Sequence, residues 1–150
     1  MKRYLLQILV ISVVMVSGVN GVNAQCKSFA KKICKPILNP YTHDGNYHAA
    51  ILTEGEEAEL YKTFYSGIDY RIAIVGSDAL PEIEFQVEDA NKNVLYNNKD
   101  HHYNKTWDFR LKNSQQLKII VKVQSTGKEV SPEEAMSGCV AIMFGIKEKP

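Results

Sequence analysis

Apolar and polar residues change their spacing twice along this chain, and each change marks a different kind of element. Tyr4 to Val16 is an almost unbroken apolar run, and Cys26-Lys27-Ser28-Phe29-Ala30-Lys31-Lys32-Ile33-Cys34 sets apolar residues at helical spacing. Pro36 and Pro40 stop that helix, and Tyr41-Thr42-His43-Asp44-Gly45-Asn46 has the composition of a loop. From there the period is two. Tyr70, Ile72 and Ile74 alternate with Asp69, Arg71 and Ala73; Ile83, Phe85 and Val87 alternate with Glu84, Gln86 and Glu88; Trp107, Phe109 and Leu111 alternate with Asp108, Arg110 and Lys112. These read as half-buried strands, with weaker patterns at His48 to Thr53, Glu57 to Tyr65, Val94 to Asn97 and Leu117 to Gln124. The last run, Cys139 to Lys147, is apolar on both faces, as a central strand covered on both sides is. Turn residues separate the runs at Glu54-Gly55, Ser66-Gly67, Gly76-Ser77-Asp78, Pro81 and Asp89 to Asn93.

The pattern predicts a mainly β fold, an antiparallel, jelly-roll-like β-sandwich of seven to eight strands with a short N-terminal helix. Ser131-Pro132-Glu133-Glu134 carries the N-cap, first-turn proline and capping glutamate of a short helix, which Gly138 can end. Residues 125–138 therefore form a long, partly helical loop insertion.

The apolar run at the start changes the setting. Lys2 and Arg3 precede it, and Val22-Asn23-Ala24 supplies small residues before Gln25, the pattern of a cleaved leader. Residues 1–24 are read as a signal peptide and 25–150 as one domain, with the helix at 25–38. At about thirteen residues the run is shorter than the roughly twenty that cross a bilayer as a helix. The mature form is expected to have no membrane span, and Gln25 before Cys26 spoils a lipid-anchor site. The expected location is the periplasm or the exterior. Without the leader, 16 basic residues face 17 acidic ones, which argues against nucleic acid as a partner.

Export makes disulfides the default role of Cys26, Cys34 and Cys139. In a helix Cys26 and Cys34 stand about 12 Å apart, and a disulfide needs its Cα atoms within about 7 Å, so Cys139 pairs with one of them. The expected pair is Cys34–Cys139, since Cys34 is nearer the body of the domain. Cys26 is then a free thiol or an intermolecular bridge.

Two stretches carry a resemblance. Thr63-Phe64-Tyr65-Ser66-Gly67-Ile68-Asp69-Tyr70-Arg71-Ile72, followed by Ile83 to Leu95 with its Asp89-Ala90-Asn91-Lys92-Asn93 turn, is similar to bacterial pre-peptidase C-terminal domains and the related GOLD-type sandwiches. That resemblance spans about Glu57 to Lys147 and implies a jelly-roll-like accessory module without chemistry of its own. The mature chain also resembles a group of small uncharacterised exported proteins of Bacteroides-like bacteria. The matching residues are Cys26 to Lys32, Tyr41 to Gly45, Thr63 to Gly67, Trp107-Asp108-Phe109, Gln115-Gln116-Leu117 and Gly138-Cys139-Val140. It implies export, the sandwich and the cysteine set.

Candidate chemistry is sparse. His43, His48, His101 and His102 lack the convergent offsets of a zinc site and read as loop residues. Asp89 to Asn93 lacks the glycine and distal glutamate of a calcium loop and reads as a hairpin turn. Glu54, Glu56, Glu57 and Glu59 read as a solvated face, because sequence neighbours on a strand seldom lie across a cleft. No nucleophile elbow, zinc-protease helix or phosphate loop occurs. No catalytic residue, metal ligand or cofactor is assigned. Trp107 reads as core. Tyr41, His43, Tyr61, Tyr65 and Tyr103 are the candidate ligand contacts, since tyrosines in loops and on outward strand faces are common contact residues; Tyr47 belongs to the same class.

The expectation is an exported, non-enzymatic binding module, monomeric or weakly oligomeric, with an envelope or exterior protein as ligand before a glycan. One alternative is a hydrolase or hydrolase inhibitor with its site between the loops Tyr41 to Asn46 and Ser125 to Gly138. Another is a structural envelope component assembled through the spare cysteine.

Overall fold

The computed structural model describes residues 21–148, and the leader reading rests largely on residues outside that span. Nine strands form among the described residues: β1 Thr42–His43, β2 His48–Thr53, β3 Glu57–Phe64, β4 Asp69–Gly76, β5 Ile83–Glu88, β6 Val94–Asn97, β7 Thr106–Arg110, β8 Gln115–Val123 and β9 Ser137–Ile146. They build two antiparallel sheets. In one, β1 and β2 lie end to end along β9, which is followed by β4 and β7; the other has the order β3-β8-β5-β6. Setting β2-β9-β4-β7 against β3-β8-β5-β6 gives the jelly-roll arrangement, in which early and late strands pair across Greek-key connections. The two-residue β1 is an addition that alternation could not reveal.

Between the sheets lie Ile72, Ile74, Val140 and Phe144 from one side and Phe64, Phe85, Val87, Leu117, Ile119 and Val121 from the other. Each such side chain contributes about 1.5–3 kcal/mol on burial. Asn98 is the buried polar residue among those described, and it is fully bonded. Its Oδ1 accepts from the Phe85 amide at 2.8 Å, and its Nδ2 donates to the Ile83 and Asn104 carbonyls at 2.9 and 3.2 Å. It thereby fixes the loop after β6.

The expectation for β9 holds, and its cause is the N-terminal segment. Val140, Ile142 and Phe144 face the sandwich core, while Ala141 and Met143 face a second cluster formed with Ala30, Cys34 and Leu38. β4 is covered in the same way, with Ala73 and Val75 beneath the segment, so it is buried on both faces rather than half-buried. The segment is helical throughout but changes pitch: α-helix α1 Gly21–Phe29, a π-helical turn Ala30–Cys34 and a 3-10 turn Lys35–Leu38. Its buried residues recur every four positions, at Cys26, Ala30, Cys34 and Leu38. In a pure α-helix a four-residue period drifts by about 40° per step, and the wider π turn takes up that drift. Twelve residues of helix cover about 18 Å, against about 20 Å for the six residues from Cys139 to Gly145. The segment therefore lies along β9 as a strap.

The strap also corrects the disulfide. Cys26, at its start, bonds Cys139, with Cα atoms 5.3 Å apart, and Cys34 is a buried free thiol. Cys34 lies two turns further on, over the middle of β9, where its Sγ is 3.5 Å from the Ala73 carbonyl oxygen. Nearness to the body of the domain was the wrong criterion. Position along β9 decides the pairing, and Cys139 is only two residues into that strand.

At its far end the strap is held by Arg71. The guanidinium makes a two-pronged pair with Asp108 at 2.6 and 2.7 Å, donates to the Asn39 carbonyl at 2.8 Å and lies 4.6 Å from the Tyr41 ring centre. Gly145 permits this closeness, since a Cβ there would stand 2.6 Å from the Tyr41 Cβ.

Two further expectations are revised. Ser131 to Ala135 forms a single hydrogen-bonded turn rather than a helix, and Gly138 lies inside β9. A one-turn helix leaves most of its backbone groups without partners, and here the strand claims its end. Trp107 is partly buried at the sandwich edge, not in its centre.

Candidate functional site

A two-sheet sandwich has two open seams, where edge strands of opposite sheets face each other. The seam between β6 and β7 is sealed by aromatic rings: Tyr96 stacks on Trp107 at 5.0 Å, Trp107 on Phe109 at 4.3 Å, and His101 caps Tyr96 at 4.9 Å. The seam between β2 and β3 is not sealed. Its core-facing positions include Ala50 and Ala58, and these short side chains leave a groove of about 340 Å³ floored by Leu52, Leu60, Val121, Val140 and Ile142. Ala50 is exposed, and the floor is the flank of the sandwich core itself.

Both walls are edge strands, so alternate main-chain amides and carbonyls on their outer sides have no ladder partner. The Thr53 end is closed, because Thr53 donates its amide to Glu56 Oε2 at 2.7 Å. At the other end Lys62, on the core-facing side of β3, donates to Asp44 Oδ2 at 2.9 Å and lies 4.8 Å from the Phe144 ring centre. His48 meets the same ring edge-on at 5.7 Å. Burial of Asp44 opposes its ionisation, but the Asn46 amide and the Lys62 ammonium outweigh this and hold its pKa below the usual value. Burial lowers the pKa of His48 against the Asp44 carboxylate, which raises it, and Lys62 and His43 add to the lowering. On their outward faces the two walls carry Ile51 and Tyr61, 44% and 56% exposed. The β2–β3 turn and β3 add Glu54, Glu56, Glu57 and Glu59, of which Glu59 pairs with Lys118.

The candidate contact residues do not converge. Tyr61 and Tyr65 are exposed on the outer side of β3 and just beyond it. Tyr41 packs under Arg71 on the opposite sheet. The His43 side chain is 7% exposed, with Nε2 2.8 Å from the Asn46 carbonyl oxygen, so it braces its own loop and offers no free surface. Tyr47 packs against the strap cluster with its ring 4.7 Å from that of His43. Tyr103 lines a separate depression of about 290 Å³ beside Asn98, whose polar atoms are already bonded.

Among the described residues no group of three or more histidine, cysteine or acidic side chains is placed to hold a metal. Asp89 spends its carboxylate on its own hairpin, accepting from the amides of Asn91 and Asn93 and from the Asn93 side chain. The two loops proposed to flank a hydrolase or inhibitor site lie at opposite ends of β9. Residue 43 pairs with residue 145, whereas the long loop joins at Ser137, about 26 Å away along the strand. Their attachments to β9 do not adjoin.

The groove leaves no signal among residues that project. The available signal was the reverse: alanines at Ala49-Ala50 and Ala58 where β-strands ordinarily carry branched or aromatic side chains.

No family model matches the chain, and no curated protein matches it. Eight chains of solved structures do. One is Aeromonas hydrophila PliG, a periplasmic lysozyme inhibitor of g-type lysozyme, which is 13% identical over 72% of this chain and 89% of that chain, with a TM-score of 0.49. At that identity and score the likeness bears on neither activity nor partner.

Proposed function

We propose that this chain is an exported, non-enzymatic protein-binding module, and that its ligand is an extended segment of a partner protein lodged in the groove between β2 and β3. The observation that supports this reading is the asymmetry of the seams, one sealed by stacked rings and the other left open over the core. An apolar groove bounded by strand edges suits a peptide, whose backbone can pair with the edge while alternate side chains enter the groove. A glycan needs convergent polar side chains, and the groove floor offers aliphatic groups. The acidic rim adds a charge preference, favouring a segment whose apolar residues are flanked by lysine or arginine. The disulfide fits an oxidising compartment, and among the described residues no helix is long and apolar enough to cross a membrane.

The test is site-specific photo-crosslinking in envelope extracts of the source cell. A crosslinker at Tyr61 or Ile51 is expected to capture one and the same peptide segment, identified by mass spectrometry, while a crosslinker at Lys112 captures none of it. Ala50→Arg fills the groove and should reduce the captured product at least tenfold with the melting temperature unchanged. Equal capture by Ala50→Arg, or retention of a defined glycan in place of a peptide, overturns the reading.

A further inference from the structure

The strap that covers β4 and β9 has a second surface, facing away from the sheet. With Cys26, Ala30, Cys34 and Leu38 turned inward, the four-residue period places Lys27, Lys31 and Lys35 along one flank and Phe29, Ile33 and Ile37 along the other, with Lys32 on the crest. All four lysines are exposed, and none makes a salt bridge with a carboxylate among the described residues. Phe29 and Ile37 are partly buried, but Ile33 is 49% exposed, beside Lys32 and on the flank opposite the other three lysines. Residues 25–38 contain no acidic residue, although the mature chain as a whole is slightly acidic. Four of the sixteen basic residues beyond residue 24 are therefore gathered, without an acidic neighbour in sequence, on one ridge fastened at one end by Cys26–Cys139 and at the other by Arg71.

We propose that this ridge docks on an anionic bilayer surface, the lysines lying among the lipid phosphates and Ile33 entering the interface. Three features select that partner. Lysine ammoniums are flexible point charges suited to a diffuse negative layer, whereas a discrete anion site favours the arginine fork. An exposed isoleucine beside the Lys32 crest gains nothing from a soluble polyanion but gains burial in an interface. The ridge also begins within about ten residues of the apolar run ending at Val16, the run read as the leader that takes the chain to the bilayer. Each lysine near an anionic surface adds about fivefold to the affinity. The ridge borders the β2–β3 groove at one point, where Lys27 Nζ lies 5.8 Å from the ring centre of Tyr47, a groove-lining residue, so peptide capture by the groove is the readout that separates the two surfaces.

The experiment is co-sedimentation of the exported chain with vesicles of phosphatidylcholine containing 30% phosphatidylglycerol, with pure phosphatidylcholine vesicles and soluble polyphosphate as controls. Binding is expected to the anionic vesicles alone among the two lipid compositions, with at least a tenfold loss between 50 and 500 mM salt. The variant K27Q/K31Q/K32Q/K35Q should lose at least a hundredfold, and Ile33→Ser about threefold on vesicles with no change on polyphosphate. The substituted positions are exposed, and an unchanged melting temperature verifies the fold. No sedimentation with the anionic vesicles, equal binding to uncharged ones, or an Ile33→Ser variant that binds vesicles as the parent does overturns the proposal. Loss in the lysine variant with peptide capture at Tyr61 retained separates this surface from the groove.

Discussion

Cys34 and Cys26 differ in what surrounds them more than in where they fall in the sequence. Burial raises the Cys34 thiol to about 12, so at neutral pH it holds its proton and is a poor nucleophile. Iodoacetamide should therefore leave Cys34 unmodified in the native protein and modify it once denaturant unfolds the chain; rapid native labelling would show that the strap does not cover it. Cys26–Cys139 closes a loop with a sequence separation of 113. Replacing both cysteines by alanine should cost about 2–4 kcal/mol, read as a lower denaturation midpoint. Composition and spacing required that Cys139 pair with one of the two helical cysteines. Which one depended on where the helix starts along β9, and no local pattern encodes that.

Elements whose signal is local were legible from the chain. Strands β2 to β8 fall close to the alternating runs and β9 close to the run apolar on both faces, because a strand presents successive side chains to opposite layers. The apolar character of both faces of β9 even anticipated a covering layer. What escaped was decided by tertiary neighbours: the turn at Ser131, the added pairing of β1, and the change of pitch in the strap. The strap's far end makes a testable case. Arg71 is the hinge between strap and sheet, holding Asp108 with two prongs and the Asn39 carbonyl with a third bond. Arg71→Met keeps the stem and removes those bonds. It should destabilise the fold by about 2 kcal/mol and speed amide hydrogen exchange in residues 35–41 ahead of the sheet. Uniform exchange across strap and sheet would mean that Arg71 does not govern the strap.

For the molecule as a whole, the legible and hidden parts follow one rule: a pattern reveals what is filled more readily than what is left open. The sealed seam was visible as aromatic residues, although their stacking was not, and the open seam was visible only as alanines. That open seam also contributes to the response to acid. Burial lowers the pKa of His48, so the folded state disfavours its protonated form and the unfolded chain binds that proton more readily. Stability from this source is complete above about pH 6.5 and declines below it. The Arg71 hydrogen bonds, joined by its charge, hold Asp108 below the usual carboxylate value; the Asn46 amide and Lys62 do the same for Asp44 against the cost of its burial. Carboxylates lowered in the folded state add stability that is complete above about pH 4 and disappears as pH falls through their folded values. Both trends have one sign. The melting temperature should fall gently from pH 7 to about 4.5 and more steeply below pH 4. His48→Phe should flatten the gentle part and leave the steep part, while Asp44→Asn should reduce the steep part. A parent protein whose melting temperature is constant between pH 7 and 5 would show that the groove end does not shield His48 from solvent.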